Sequence, residues 1–225
     1  MPATTVDSTL VQSLRNDIIR GTIAPGERLR LEELAERFGV STMPIRQALR
    51  TLEAEGIVTV TPHRGAQVTR FPAEQILELF EIRAMLEQLA TTKAVPNLTS
   101  QDFDALEAVV GQMDDLYLEG QFDVAQFTPL NARFHALIYA RSGRPLLTAQ
   151  IRDRRVQVQH YLHRYMHLVH DGQILNNEHR VLLNLAHSGR AELAGLAMFQ
   201  HILGTGEGIA RVMAEEEKVL PGGLS

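Results

Sequence analysis

FGVSTMPIRQALRTLEAEGIVTVTPHRGAQV, residues 38–68, is the stretch on which the reading of the fold turns. Gly39 stops the helix before it, as a left-handed C-terminal residue does. Ser41 is a good N-cap, and Pro44 falls in the first turn, where its missing N–H is harmless. Ile45, Ala48, Leu49 and Leu52 then recur at the spacing of a buried stripe, so the pattern predicts a helix over 42–55, ended by Gly56. Ile57–Val60 is rich in β-branched residues, Thr61–Gly65 reads as a turn, and Ala66–Thr69 as a second short strand.

Toward the N-terminus, Leu31, Leu34, Ala35 and Phe38 place a helix over 31–38. Ala24–Glu27 is a turn, and Val11–Arg20 a first helix with Leu14 and Ile18 on its inner face. Three helices followed by a hairpin is the order of a winged helix-turn-helix. Toward the C-terminus the signal changes. From Pro72 on no strand pattern appears, and apolar residues recur at helical spacing. Breaks are expected at Val95–Asn97, Glu119–Gly120, Ser142–Pro145, Asp171–Gly172 and Ser188–Gly189, which gives about six helices. Leu98–Asp102 offers a capped start, and the tail after Leu220 reads as frayed. The fold class is therefore mostly α: residues 1–71 a winged helix-turn-helix, residues 72–225 an antiparallel all-helical bundle.

Composition narrows the chemistry. The 225 residues include no cysteine, which excludes a disulfide framework and a thiolate metal site or nucleophile. Any metal must use His, Asp, Glu or Asn. No leader-like apolar run opens the chain, and no stretch approaches the ~18 apolar residues of a membrane span. The expected location is cytoplasmic, with no membrane partner. The net charge of −5 is unevenly spread: residues 1–72 carry nine Arg against eight acids, the remainder thirteen basic against nineteen acidic residues. Only the N-terminal part is free of a strong negative field.

In a helix-turn-helix the second helix of the motif enters the major groove by its N-terminal end. Here that end is Ser41–Gln47, followed by Arg50. Arg46 and Arg50 share a face opposite the Ile45/Ala48/Leu49/Leu52 stripe, and Arg is the usual reader of guanine. Arg64, beside Gly65 at the hairpin tip, is placed to reach a minor groove or a phosphate. Solvated arginines on a small helical domain are the alternative for any one of these residues; their ordered combination favours DNA.

Residues 11–68 resemble the DNA-binding domain of GntR-type regulators. The resemblance lies in Leu34-Ala35, Phe38-Gly39-Val40-Ser41, Pro44 to Arg50, Leu52 to Val58, and Arg64 to Val68. It implies a homodimer on a palindromic double-stranded operator, usually as a repressor, with Ser41, Thr42, Arg46, Arg50, Arg64 and Gly65 at the DNA. Two positions depart from the pattern. Thr42 and the Leu31-Glu32-Glu33 run stand where relatives commonly carry Arg, so base reading falls mostly to Arg46 and Arg50.

Eight of the nine histidines lie after residue 130. Asn131 and His135 are i, i+4 on one helix face. His179 and His201 would lie about 33 Å apart on one straight helix, but a reversal at Gly189 returns them to nearly the same level. Three imidazoles and an amide could then converge in a bundle, although a His-rich helical protein produces such spacings without a metal. Residues 73–215 resemble the FCD ligand-binding domain of FadR-like members of the same family, through Arg83 to Glu87, Asn131 to His135, Glu178-His179 and His201. The resemblance implies that Asn131, His135, His179 and His201 hold a divalent ion. Zinc is the default, with nickel or another transition metal compatible with imidazole. Four neutral ligands leave both positive charges uncompensated, which favours a small organic acid as effector. Arg83 is a candidate second contact to its carboxylate, or else the partner of a neighbouring acid.

His160, His163, His167 and His170 form a further stripe, read as a solvated or dimer-facing surface ahead of a pocket wall or a pH-sensitive face. His63 and His187 are read as structural, and Met85, Leu86 and Leu89 as core. The resulting expectation is an effector-responsive repressor and not an enzyme. A regulator for which the ion itself is the signal is the alternative, and a metal-dependent hydrolytic enzyme is a distant one, since no Asp or Glu stands out as a general base.

Overall fold

The computed structural model describes residues 3–61, 65–118, 122–168 and 172–219. Several sequence expectations lie outside these residues: Arg64 and His63 at the hairpin tip, the break at Glu119–Gly120, Asp171, His170 and the tail after Leu220. The chain divides into two compact units, residues 1–71 with 156–164, and residues 72–155 with 165–225.

The first unit holds α1 (Ala3–Ile19), β1 (Arg28–Leu29), α2 (Leu31–Phe38), α3 (Thr42–Ala54), β2 (Val58–Thr61) and β3 (Gly65–Val68). Its core is the set of stripes the periodicity picks out: Leu14 and Ile18 from α1, Leu34 from α2, and Ile45, Leu49 and Leu52 from α3, all buried. Burying each such side chain contributes roughly 1.5–3 kcal/mol. Gly39 closes α2 at φ 64°, and its N–H bonds back to Glu36 O. Ser41 takes the extended N-cap backbone of α3 but makes no side-chain cap bond.

β2 and β3 pair antiparallel from Val58↔Val68 to Thr61↔Gly65, and Gly65 turns out of the hairpin tip at φ 83°. The sequence reading missed β1. Arg28 and Leu29 lie against Gln67 and Ala66 and make a three-stranded sheet of order β1-β3-β2. Two residues carry no periodicity, so only the pairing reveals such a strand.

The second unit holds α4 (Ala73–Ala94), a 3-10 turn (Val95–Asn97), α5 (Ser100–Leu118), α6 (Val124–Ala140), α8 (Gly172–His187) and α9 (Ala191–Val219). It also holds both ends of α7 (Pro145–Leu168), whose middle, residues 156–164, clusters with the first unit. Thr99 and Asp102 exchange capping bonds ahead of α5: the Thr99 N–H donates to the Asp102 carboxylate at 2.8 Å, and the Asp102 N–H to Thr99 Oγ1 at 3.3 Å. Phe80, Phe127, Phe134, Leu106 and Ile138 fill the interior. The α8–α9 reversal occurs at Gly189, φ 71°.

One core expectation fails. Met85 is 63% exposed and Leu89 47%, and Leu86 is only half-buried. The face of α4 that turns inward carries Ile76, Phe80, Arg83, Ala84, Glu87 and Ala90. A periodic stripe identifies a face but not which of two candidate faces is buried. The polar pair Arg83 and Glu87 concealed the inner one.

Candidate metal centre and nucleic-acid interface

Three of the four metal candidates come together. His135 on α6, His179 on α8 and His201 on α9 are all buried, and their ligand-capable atoms lie within 4.8 Å of one another. Ring centroids are separated by 5.5 Å (135–179), 5.3 Å (135–201) and 4.8 Å (179–201). Asn131 is buried one turn ahead of His135 on the same helix.

The hydrogen bonds around these rings decide which nitrogens are left over. Tyr139, one turn after His135, donates its hydroxyl hydrogen to Glu87 Oε2. Its oxygen therefore accepts from His135 Nδ1–H at 3.0 Å. That fixes the tautomer and leaves His135 Nε2 with its lone pair. The Glu178 carboxylate accepts from His201 Nδ1–H at 2.6 Å, which does the same for His201 Nε2. Such outer-shell partners are how metal-binding imidazoles are oriented. His179 is different: both its ring nitrogens are buried without a hydrogen-bond partner. A buried polar group in that state costs roughly 1–3 kcal/mol unless something not yet counted satisfies it.

The electrostatics agree. Burial, followed by the positive charge of Arg155, holds His135 well below the ordinary imidazole range. Burial and then His201 do the same for His179. Neutral imidazole is the metal-binding form. Burial, reinforced by Glu87, pushes the Tyr139 phenol well up, so it stays protonated and remains a donor to Glu87. Donor set, tautomers and the unpartnered His179 all fit a divalent cation that takes imidazole nitrogen at about 2.0–2.1 Å.

Arg83 is 3% exposed, and its Nε and Nη2 both lie 2.9 Å from Glu87 Oε1. It is thus committed to a buried ion pair one helical turn away and stacks over Phe80 at 4.6 Å. The relay from Glu87 through Tyr139 to His135 was not legible in the sequence. Glu87 and Tyr139 are 52 positions apart, and no local pattern links them.

In the first unit, Ser41 and Thr42 stand at the start of α3, and Arg46 and Arg50 are exposed one turn apart. A cleft of about 460 Å³ runs along this face, and its lining includes Arg28, Arg30, Arg46, Arg50, Glu32 and Gly65. Arg28 and Arg30 escaped the sequence reading because they lie on β1 and in the link to α2, outside the helix that carries the motif. Arg30 is held by Glu33 at 2.7 Å. The α7 stripe does not converge: His160 is buried, His163 half-buried and His167 exposed. His187 stacks on Phe103 at 4.4 Å, in keeping with a structural role.

Residues 7–68 match the family model described as bacterial regulatory proteins, gntR family, and residues 78–204 match the FCD domain. The HTH-type transcriptional regulator YdhC of Bacillus subtilis is 34% identical over 125 residues, 56% of this chain and 55% of that protein. The chain thus aligns with little more than half of YdhC's length. The regulator McbR of Escherichia coli is 31% identical over 175 residues, 76% of this chain and 78% of McbR. A solved structure of E. coli McbR/YncC covers 96% of this chain and 100% of that one, with TM-score 0.75 and 24% identity. The E. coli repressor RspR is 26% identical over 95% of this chain and 93% of its own.

Proposed function

We propose, from the premise that this chain belongs to the gntR family of bacterial regulatory proteins and is a DNA-binding transcriptional regulator with an FCD domain, that it is a repressor released by a small carboxylate bound at a metal site. The observation that carries the sensor half is His179. Its two nitrogens are buried and unpartnered, and it faces two histidines whose Nδ1 atoms are already engaged. Among the described residues this is the group of His, Asp or Glu side chains arranged to hold an ion. His135, His179 and His201 would hold it, with Asn131 as the fourth ligand. A zinc ion there supplies positive charge and a coordination position for an anionic oxygen. Asn131 brings no charge of its own, so the charge falls to the effector to balance.

On the DNA side, Arg46 and Arg50 read bases from α3, each bidentate guanine contact giving roughly 1–3 kcal/mol of discrimination. Ser41, Thr42, Arg64 and Gly65 position the unit on the backbone. Homodimerisation matches the two reading helices to an operator of two half-sites. The effector acts by preferring the dimer geometry that fits the operator less well, so the coupling is reciprocal between sites.

The test is DNA affinity at fixed salt, on the chain's own upstream region, for native and chelated protein with a panel of small carboxylates. Salt is fixed because phosphate contacts make affinity steeply salt-dependent. One acid weakening specific binding, and only in metal-loaded protein, is the expected result. Binding that responds to metal with no acid present identifies the ion as the signal instead. Specific binding that ignores both metal and acids removes the sensor reading and leaves the regulator.

A further inference from the structure

α4 presents an apolar stripe to solvent. Ile82, Met85 and Leu89 are 41%, 63% and 47% exposed. Spaced by three and four, they share one narrow face of the helix, opposite the buried Ile76, Phe80, Ala84 and Glu87. Single exposed apolar side chains are ordinary on a protein surface, whereas a contiguous set marks a contact face. Charge bounds the stripe at both ends. Glu78 precedes Ile82 by one turn and Lys93 follows Leu89 by one turn, both exposed on the same face. Among the described residues neither is held in an ion pair. The order acid, Ile82, Met85, Leu89, base is complementary to its own reverse. Glu78 and Lys93 stand equally far from the point between Met85 and Leu86, and so do Ile82 and Leu89. A second α4 laid antiparallel across that point sets Ile82 against Leu89, and Glu78 against Lys93, on both sides of the centre.

We infer that this stripe of α4 is the face on which two copies of the chain join, antiparallel about a two-fold axis beside Met85, with Glu78 of each copy paired to Lys93 of the other. This rests on the homodimer reading and names its surface and register. A two-fold contact uses the same patch twice and must complement itself. With opposite charges at its ends the stripe meets that condition antiparallel, because a parallel pairing brings Glu78 to Glu78 and Lys93 to Lys93. The apolar centre from Ile82 to Leu89 is roughly 10 Å long. Its burial drives association, and the flanking charges fix the register. The inner side of the same two turns holds Glu87, whose carboxylate reaches His135 through Tyr139. The dimer face and the histidine group therefore share one helix.

The chain has no cysteine, so one introduced thiol is a specific probe. Full-length Ile82→Cys, Met85→Cys and Leu89→Cys are treated with a short bismaleimide, each alone and Ile82→Cys mixed with Leu89→Cys. Val181→Cys, exposed on α8, is the control. Met85→Cys is expected to link to itself, the mixture to link faster than either of its components, and Val181→Cys to stay unlinked. Sedimentation equilibrium of wild type and charge variants gives the dimer dissociation constant. Met85→Glu, which sets two carboxylates beside the axis, is expected to raise it by more than about thirtyfold. Lys93→Glu is expected to raise it roughly three- to tenfold, and Glu78→Lys combined with Lys93→Glu to restore it. Melting curves check that each variant keeps its fold, and where Met85→Glu does not, the thiol links decide. Dimerisation of Met85→Glu as tight as wild type, or linking at Val181 in place of Met85, overturns the inference and leaves the homodimer standing. Equal linking rates for the mixture and its components, or no restoration by the double charge swap, overturn the register. A wild type that stays monomeric at every concentration means that the homodimer reading has failed, and the stripe then belongs to a different partner.

Discussion

His160, His163 and His167 follow one another along α7, whereas His135, His179 and His201 come from three different helices. In the sequence the first set is the more conspicuous, spaced by three and four on one face. In the structure it yields no common centre. A helix projects such side chains outward, and burial sorts them from buried to exposed along the stripe. The second set is scattered over 67 positions and meets within 4.8 Å. Sites for ions in helical bundles come from facing helices, and the two sets illustrate why regular spacing is the weaker signal. They differ also in what surrounds them. Two rings of the triad have carboxylates assigned to their outer nitrogens, Glu178 directly and Glu87 through Tyr139. His160 packs at 3.7 Å against Tyr161 and has a buried Nε2 with no partner.

The sharpest contrast is zinc affinity. His179→Ala is expected to lower it by more than about a hundredfold, a larger loss than outer-shell changes give; His163→Ala is expected to leave it unchanged. Competition with a chromophoric chelator measures both, and equal losses would dissolve the distinction between the two sets. Next in size is Glu178→Gln. It keeps an acceptor beside His201 but removes the charge, and a loss of about 10–100-fold in zinc affinity is expected by the same titration. No change would mean that Glu178 merely caps an exposed edge.

The smallest effect concerns acid. Burial, with Arg164 adding to it, lowers His160 from 6.5 to about 4. Between those values the unfolded chain carries the proton and the folded chain does not. The unfolded state therefore binds more protons, and stability falls as pH drops from 6.5 toward 4. In metal-free protein, thermal melting across that window is expected to show a shallower loss for His160→Leu than for wild type. At pH 7.5 the variant is expected to match or slightly exceed wild-type stability, because an unpartnered buried nitrogen is gone. Parallel melting curves for the two proteins would assign the acid sensitivity to other groups.

Much of this architecture could be read before any coordinates. The α2 and α3 stripes, the Gly39 stop, the hairpin and the Gly189 reversal are local events written in consecutive residues. The three histidines could be paired through that reversal, because antiparallel helices return equal distances from a turn to equal heights. What escaped was non-local. The two-residue β1 exists through its pairing with β3, Glu87 reaches His135 only through Tyr139, and Met85 and Leu89 turned outward because Arg83 and Glu87 turned in. Arg83 was legible as a charged residue near the site. Of its two readings, effector contact or partner of a neighbouring acid, the ion pair with Glu87 is the one the structure shows.

α4 and α9 approach closely at two glycines of α9, Gly195 and Gly206, which flank His201 along the helix. A methyl at Gly195 would fall on Thr92 and one at Gly206 on the Phe80 side chain, whereas Gly204 faces open space. This has a consequence for how the sequence can drift. In a saturation library over α9 selected for retained zinc, Gly195 and Gly206 should return as glycine while Gly204 admits alanine and serine. Descendants of this chain are then free to vary the outer face of α9 but not the two contacts that fix the height of His201. The seating of that histidine is guarded by residues that have no side chain at all.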